Sequence, residues 1–577
     1  MTDKRSKNEH IKEDSRLLRG TISEGLADVS TGAISEDDSQ LTKFHGTYLQ
    51  DHRDVRGERT KKKLEKAYSF MIRVRLPAGV TTSKQWLQLD AIAGTYANDQ
   101  LRLTTRQTFQ FHGVIKPNMR RTMQAINAAL LDTLAACGDV NRNVLAASNP
   151  YLTKAHTAAH ELAVNVSEHL LPRTGAYHEI WLDGEQVVDK TRAAEPEEEP
   201  IYGQHYLPRK FKIVVAVPPS NDIDLFAHDL GYIAIVEDGK LVGWNVAVGG
   251  GMGMTHGDTE TFPRPADVMG FCTTEQAIDV AEKVVTVQRD WGNRENRKRA
   301  RLKYTIEDHG LENFRAEVEK RLGYKLGEAR PYEFTSTGDV IGWTQGADKK
   351  WHLTLYIENG RIKDVPGWTL RSALREIAEV HPGGFVVTAN QNVIVTNVQA
   401  KGKAKIEAIL KQHGIDIGTD LSGMRRNSMS CVALPTCGLA LAESERFLPE
   451  LVTALEDSLD RAGLRDDEIV IRMTGCPNGC ARPYLAEIGL VGRNPGLYNL
   501  YLGAAFNGER LNKLYAEDVD KSGIVRLLDP IFARYAKERE QGEHFGDFAI
   551  RAGYVQATTG GNRFHADLAP VKVAAAE

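Results

Sequence analysis

Four residues recur at one offset in this chain: adding 284 to Thr104, Gln107, Arg142 and Asn143 lands on Thr388, Gln391, Arg426 and Asn427. The surrounding patterns recur with them. Residues 69–76 (SFMIRVRL) read as a strand, 84–97 as an amphipathic helix, 101–113 (LRLTTRQTFQFHG) as a strand pair and 117–135 as a helix. The same order returns as strand 351–357 (WHLTLYI), helix 370–380, strand pair 385–398 and helix 403–414. Beyond each copy, the stretch from Trp244-Asn245 to Gly249 is echoed from Tyr498-Asn499 to Gly503. This order predicts an α+β fold, a pseudo-twofold duplication of ferredoxin-like βαββα modules, each followed by a mixed αβ domain. The expected division is a charged arm (1–68), a first half-module (69–135), a first αβ domain (136–340), a second half-module (341–418) and a second αβ domain (419–577). A ligand shared by the halves would lie on the pseudo-axis, gripped from both sides.

The copies differ in their chemistry. Cys431, Cys437, Cys476 and Cys480 fall in two small-residue loops of the second half, whereas Ala147 and Thr153 stand 284 residues before the first two. Their gaps of five and three residues differ from the CxxC of zinc ribbons. Four such thiols suit a 4Fe–4S cluster; a disulfide pair or buried structural thiols are the blander alternatives. Six cysteines in 577 residues are too sparse for a disulfide scaffold. With no signal-like start and no run long enough to span a bilayer, the expected compartment is the cytoplasm. A net charge of −4 carries no global nucleic-acid signature, so functional positive charge must be local.

Local cations are present. Arg102, Thr104, Arg106, Gln110 and His112 share a strand parity, and a face with two Arg, a Gln and a His makes a poor core. It is either solvated or built for carboxylates, which planar guanidinium forks grip well. Arg73, Arg142, Lys210 and Lys212 form a dispersed second group; Lys210 and Lys212 flank Phe211, in isolation the pattern of a solvated edge. Residues 293–303 (NRENRKRARLK) are densely basic but lack stacking aromatics, and read as a solvated or anion-facing helix rather than a nucleic-acid patch. GGGMGMTHG (249–257) predicts an amide nest for an anion. It does not fit G-x-G-x-x-G and no phosphate-binding loop is present, so electrons would come from another protein.

Taken together, SCVALPTC…TGCPNGC, RLTTRQTFQFHG, NRNVLAASNP, YLPRKFK and TANQN resemble the sulfite/nitrite reductase family, which binds siroheme beside a 4Fe–4S cluster. LLRGTI, FHGTYLQDHRD, RDWGNR and YAKEREQGEHFGDFAIRAG narrow the resemblance to its NADPH-dependent assimilatory branch, over roughly residues 15–555. The resemblance implies that Cys431, Cys437, Cys476 and Cys480 ligate the cluster, with Cys480 bridging to the siroheme iron. It implies that Arg102, Arg106, Gln110, His112 and Asn478 hold the siroheme. Arg73, Arg142, Lys210 and Lys212 would surround the distal iron position and act on sulfite. The implied reaction is the six-electron reduction of sulfite to sulfide for cysteine biosynthesis, with an NADPH-dependent flavoprotein (alpha) subunit as donor and neither nucleic acid nor membrane as partner. Siroheme nitrite reduction and a ferredoxin-dependent sulfite reductase remain alternatives; Ala481-Arg482-Pro483-Tyr484 is a form shared with ferredoxin-dependent relatives. Residues 1–65 carry 13 basic and 13 acidic side chains and are expected to be partly disordered. The resemblance makes them an arm that docks the flavoprotein.

Overall fold

A computed structural model describes residues 4–173, 181–182, 185–186, 199–418 and 420–571. The duplication is visible strand by strand. Leu101–Leu103 and Phe109–Val114 correspond, at the 284-residue offset, to Phe385–Val387 and Val393–Val398, and helix Met119–Ala128 to Lys403–Gln412. Each half-module sheet takes its last strand from the other half. Arg361–Ile362 pairs with Leu101–Leu103, and Val80–Thr81 pairs with Phe385–Val387. Gly79 and Gly360 lead into these exchanged strands with φ of +76° and +71°; a Cβ there would collide with the carbonyl oxygens of Val387 and Leu103. Only glycine permits both the conformation and that close crossing.

One core joins the two modules. Helix Ser83–Tyr96 starts with a reciprocal cap between Thr82 and Gln85, and its Leu89 and Ile92 share a buried cluster with Leu374 and Ile377 of helix Leu370–Val380. Trp86 of the first module stacks on Phe385 of the second at 4.4 Å. The recurring glutamines have matching work. Gln107 bonds the backbone of Ala146 in both directions (2.8 and 3.0 Å), and Gln391 does the same to Ser430 (2.9 and 3.4 Å). Both adopt a positive φ in the turn between their strands.

The two αβ sheets share one topology. Leu145–Ala146, Ile213–Ala216 and Leu230–Glu237 run parallel, then Lys240–Val248 and Asp267–Cys272 run antiparallel. Ser428–Ser430, Ile471–Thr474, Ile488–Asn494, Leu497–Leu502 and Lys513–Val519 repeat that order. Asp224 and Arg482 stand at equivalent places: each adopts a left-handed φ immediately before a short 3-10 turn and the third parallel strand of its sheet. These two residues ion-pair with each other. Arg482 also donates to the carbonyls of Thr105 (3.2 Å) and Ala389 (3.0 Å), themselves 284 residues apart. The pseudo-axis therefore passes beside Arg482.

The expectation of a partly disordered N-terminus is corrected. Ile11, Leu18, Leu41 and Phe44 enter the first αβ core. Lys12 is buried and donates to Glu9 (2.6 Å) and to the Leu207 carbonyl (2.9 Å), while Glu9 also pairs with Arg294. Two of the segment's buried charges are met by the body, Glu9 by Arg294 and Lys12 by Asp139. Among the described residues no helix is long and apolar enough to cross a membrane.

Candidate functional site

The two cysteine loops are stitched together by Gly475, whose amide donates to Cys431 Sγ (3.3 Å) and whose carbonyl accepts from Leu441 (2.7 Å) and Ala442 (3.1 Å). A Cβ on Gly475 would meet Ala433 Cβ and the Ala442 carbonyl at 2.6 Å, so a larger residue would force the loops apart. Asn478 donates to Cys476 Sγ at 3.4 Å, placing it against a thiol as well as on the cavity wall. Burial, then the neighbouring Cys480, raises the pKa of Cys431, Cys437 and Cys476, the last to about 11. Thiols this close and this costly to ionise want a cation between them. Among the described residues no three His, Cys, Asp or Glu side chains converge as a single metal ion requires. Four cysteine thiols held in two joined loops are a donor set that an iron–sulfur cluster takes.

Cys480 opens onto a cavity lined also by Thr105, Lys210, Lys212, His228, Arg301, Asn478 and Arg482. Lys210 and Lys212 thus leave the solvated-edge reading behind and face inward at the start of strand Ile213–Ala216. Burial, with Arg209 and Arg142 nearby, pushes the Lys210 pKa down to about 7. Burial, Arg106 and Lys210 hold Lys212 well below the ordinary amine range. Arg106 is buried and donates to the carbonyls of Asn143 and Ile213, but its Nε and Nη1 have no partner.

The strand face predicted from parity holds for Arg102, Gln110 and His112, whereas Thr104 and Arg106 lie in the turn between the two strands. Arg361, Arg102, Gln110 and Arg73 stand side by side across four strands in register. With its amide oriented to satisfy its neighbours, Gln110 accepts from Arg73 Nε at 3.0 Å. Its amino group then faces His112 Nε2 at 3.3 Å, which leaves the unpartnered Nδ1 of His112 as the N–H donor. Arg73 also reaches Cys137 Sγ (2.9 Å), and Arg142 caps the Gly138 carbonyl through Nε and Nη2 (3.2 and 3.1 Å). Arg102 and Arg361 share a protein carboxylate, which Arg73 and Arg142 lack among the described residues. Glu445 lies 3.0 Å from Arg102 Nε and also pairs with Arg361.

Two other sequence readings change. The basic run 293–303 is largely paired rather than free, because Arg294, Arg297, Lys298, Arg299 and Arg301 pair with Glu9, Asp139, Asp258, Asp308 and Asp229, Lys298 at the exposed surface. Lys303 is buried against the carbonyls of Gly251, Gly253 and Phe262. The glycine run does not offer a free amide nest: the amides of Gly249, Gly250, Gly251 and Met254 donate to Asp229, His228, Arg264 and Pro477 carbonyls. Its smallness lets residue 253 approach Asn478 instead. Sequence reasoning missed Arg482, Asp224, His228, Arg301 and Glu445, which are assembled by contacts across hundreds of residues. The left-handed Arg482 just after the last cysteine is the one with a local signal, an Arg-Pro step opening a turn.

The family model described as nitrite and sulphite reductase 4Fe-4S domain matches residues 163–326, and that of the nitrite/sulfite reductase ferredoxin-like half domain matches residues 62–129 and 344–413. A Methylobacterium nodulans protein named sulfite reductase (NADPH) hemoprotein beta-component is 65% identical over 562 residues, covering 97% of this chain and 92% of the relative. A Geobacillus thermodenitrificans protein of the same name is 60% identical over 557 residues, 96% of this chain and 97% of the relative. In fold, the chain is similar to the structure of the Mycobacterium tuberculosis NirA protein, with a TM-score of 0.77 at 22% identity over 95% of this chain and 96% of that one. The chain belongs to the nitrite and sulphite reductase family.

Proposed function

We propose that the chain reduces sulfite to sulfide by six electrons, in sulfur assimilation toward cysteine, using a siroheme coupled to a 4Fe–4S cluster. One observation carries the reading: of the four thiols, Cys480 opens onto a cavity lined by Lys210, Lys212, Arg301 and Arg482, where both ring nitrogens of buried His228 lack a partner. Relatives at 60% and 65% identity bear the sulfite reductase hemoprotein name. The residues fit both groups. Soft thiolates of Cys431, Cys437, Cys476 and Cys480 suit iron, and the unpartnered nitrogens of Arg106 and His112 need the oxygen acceptors that a macrocycle rimmed with carboxylates provides. Arg102, Gln110 and Asn478 complete that cradle. When bound, the two cofactors supply the electrons and the iron that takes the substrate.

The protein's own side chains bind and polarise. Arg73 and Arg142, each anchored by neighbouring groups, can present guanidinium edges to the oxygens of an anion. Lys210, with a pKa of about 7, can hold or give up a proton at neutral pH, and burial beside Arg106 favours the uncharged amine of Lys212 next to it. Fixed cations stabilise charge developing on a departing oxygen without reorganising. In this reading residues 136–340 form the siroheme and substrate domain and 419–577 the iron–sulfur domain, with the half-modules at 69–135 and 341–418 setting their distance.

The electron donor is an NADPH-dependent flavoprotein subunit, met through the N-terminal arm. Support comes from residues 52–66, which hold seven cationic and three anionic side chains. Arg53 ties this segment to the cluster loop, its backbone amide donating to Pro435 and its guanidinium to the carbonyls of Cys437 (3.2 Å) and Ala440. Leu439, in that loop, is 68% exposed. A cytoplasmic setting fits four thiols that must stay reduced.

Purified chain should show siroheme absorption and reduce sulfite with a reduced viologen dye. A colourless protein would end the proposal, and a preference for nitrite over sulfite in kcat/KM would redirect it to the nitrite branch.

A further inference from the structure

His228 is buried, and neither of its ring nitrogens has a partner. It is held firmly nonetheless. Its amide donates to the Leu225 carbonyl (3.2 Å), and its carbonyl accepts from Gly250 (2.9 Å). The next residue, Asp229, pairs with Arg301 at 2.7 Å. The imidazole lines the same cavity as Lys210, Lys212, Asn478 and Cys480. An imidazole always carries at least one N–H, and leaving it unmet in the interior is costly. One acceptor that acts on the ring, the backbone carbonyl of Ala227, forms no well-directed hydrogen bond with either nitrogen. Its charged neighbours are Arg106, Lys212 and Arg482, all donors. Burial and those three cations keep the ring neutral, so it offers a donor rather than a fourth positive charge.

A ligand that completes this corner must bring oxygen acceptors and negative charge together. Resting on the cofactor reading above, we infer that His228 donates a hydrogen bond to a carboxylate on the rim of the siroheme, beside Arg106 and Lys212, as a further cofactor-binding residue. Its role is to hold the macrocycle rather than to touch sulfite. Position 228 lies outside the motifs that carry the family resemblance, and its pseudo-equivalent, 258 residues on, is Ala486. The donor therefore belongs to the half that would hold the siroheme.

The test compares full-length holoenzyme with His228→Phe, which keeps a ring without N–H, and His228→Gln, which restores an N–H donor. Siroheme occupancy as purified and the rate of siroheme loss on dialysis are followed by absorbance, with iron–sulfur content as the measure of folding. His228→Phe should lose siroheme about tenfold faster, the equivalent of about 1.4 kcal/mol, and His228→Gln should recover most of the difference. Equal retention by wild type and His228→Phe overturns the inference while leaving the cofactor reading intact. A His228→Phe chain lacking both centres shifts the decision to His228→Leu and His228→Gln, where equal siroheme loss likewise overturns it. Wild type that holds no siroheme overturns both.

Discussion

At the scale of single residues, position decides what a charge is for. Lys210 and Lys212 flank Phe211 as many exposed lysines flank a buried neighbour, yet the chain turns both into the cavity at Cys480. Lys210→Met and Lys212→Met keep the stem volume and remove the charge. Siroheme and cluster content should persist while sulfite turnover falls on the order of 10²-fold, the usual scale for losing a positioned proton donor or charge. Turnover within twofold of wild type would return both lysines to a structural role. The cysteines, the strand-face cations and the glutamines were legible because each sits in a motif or on a strand of fixed parity. Arg482 and Glu445 were not, because what defines them is a partner in another segment, Asp224 for Arg482 and Arg102 and Arg361 for Glu445; nor was His228, which only the fold brings to the cavity wall.

Elements show the same division between local pattern and distant contact. Helix Leu370–Val380 and the strand pairs follow from apolar spacing, and their bounds fall where periodicity placed them. The exchanged strands Val80–Thr81 and Arg361–Ile362 are two residues long, too short for any period to register. The arm at the N-terminus was misread for a related reason, since charge-rich composition hides Ile11, Leu18 and Phe44 when their partners lie elsewhere. Gly475→Ala should cost cluster content at unchanged helix content, because the two cysteine loops touch at that backbone; full iron loading would contradict it. Glu487 makes a second element-level joint. Its carboxyl oxygens accept from the amides of Val470 (2.9 Å) and Gly546 (2.8 Å), linking the second αβ sheet to helix Phe545–Arg551. Burial raises its pKa to about 7. A folded pKa above the unfolded one means its stabilising effect is full below the unfolded value and is lost as pH rises through about 7. Wild type should therefore exceed Glu487→Gln in thermal stability by more at pH 5.5 than at pH 8, a gap that differential scanning fluorimetry resolves. A gap independent of pH would show that the carboxyl stays ionised throughout.

For the whole molecule, the duplication explains where the site lies. Two copies of one topology meet along a pseudo-axis, and the equivalent residues Asp224 and Arg482 neutralise each other beside it. Arg482→Met leaves Asp224 buried with Arg472 alone, and should destabilise the fold by about 3–5 kcal/mol, as breaking buried pairs does. Unchanged denaturant midpoints would remove Arg482 from the interface between the halves. Deleting residues 1–60 tests the other long-range joint. Because Lys12 and Glu9 are built into the first αβ domain, the deletion should lower stability as well as partner-driven turnover. Charge reversal at Lys61, Lys62 and Lys63, all exposed, should impair flavoprotein-driven reduction and spare viologen-driven reduction; equal effects on both would exclude docking there. In the proposed function Cys480 would join the siroheme and the 4Fe–4S cluster into one electronic unit. Mössbauer spectroscopy of the iron-57-enriched chain tests it most directly. Wild type should show the cluster irons magnetically coupled to the siroheme iron, and Cys480→Ser should lose that coupling. A wild-type cluster indifferent to the siroheme iron, or coupling that survives Cys480→Ser, would contradict it.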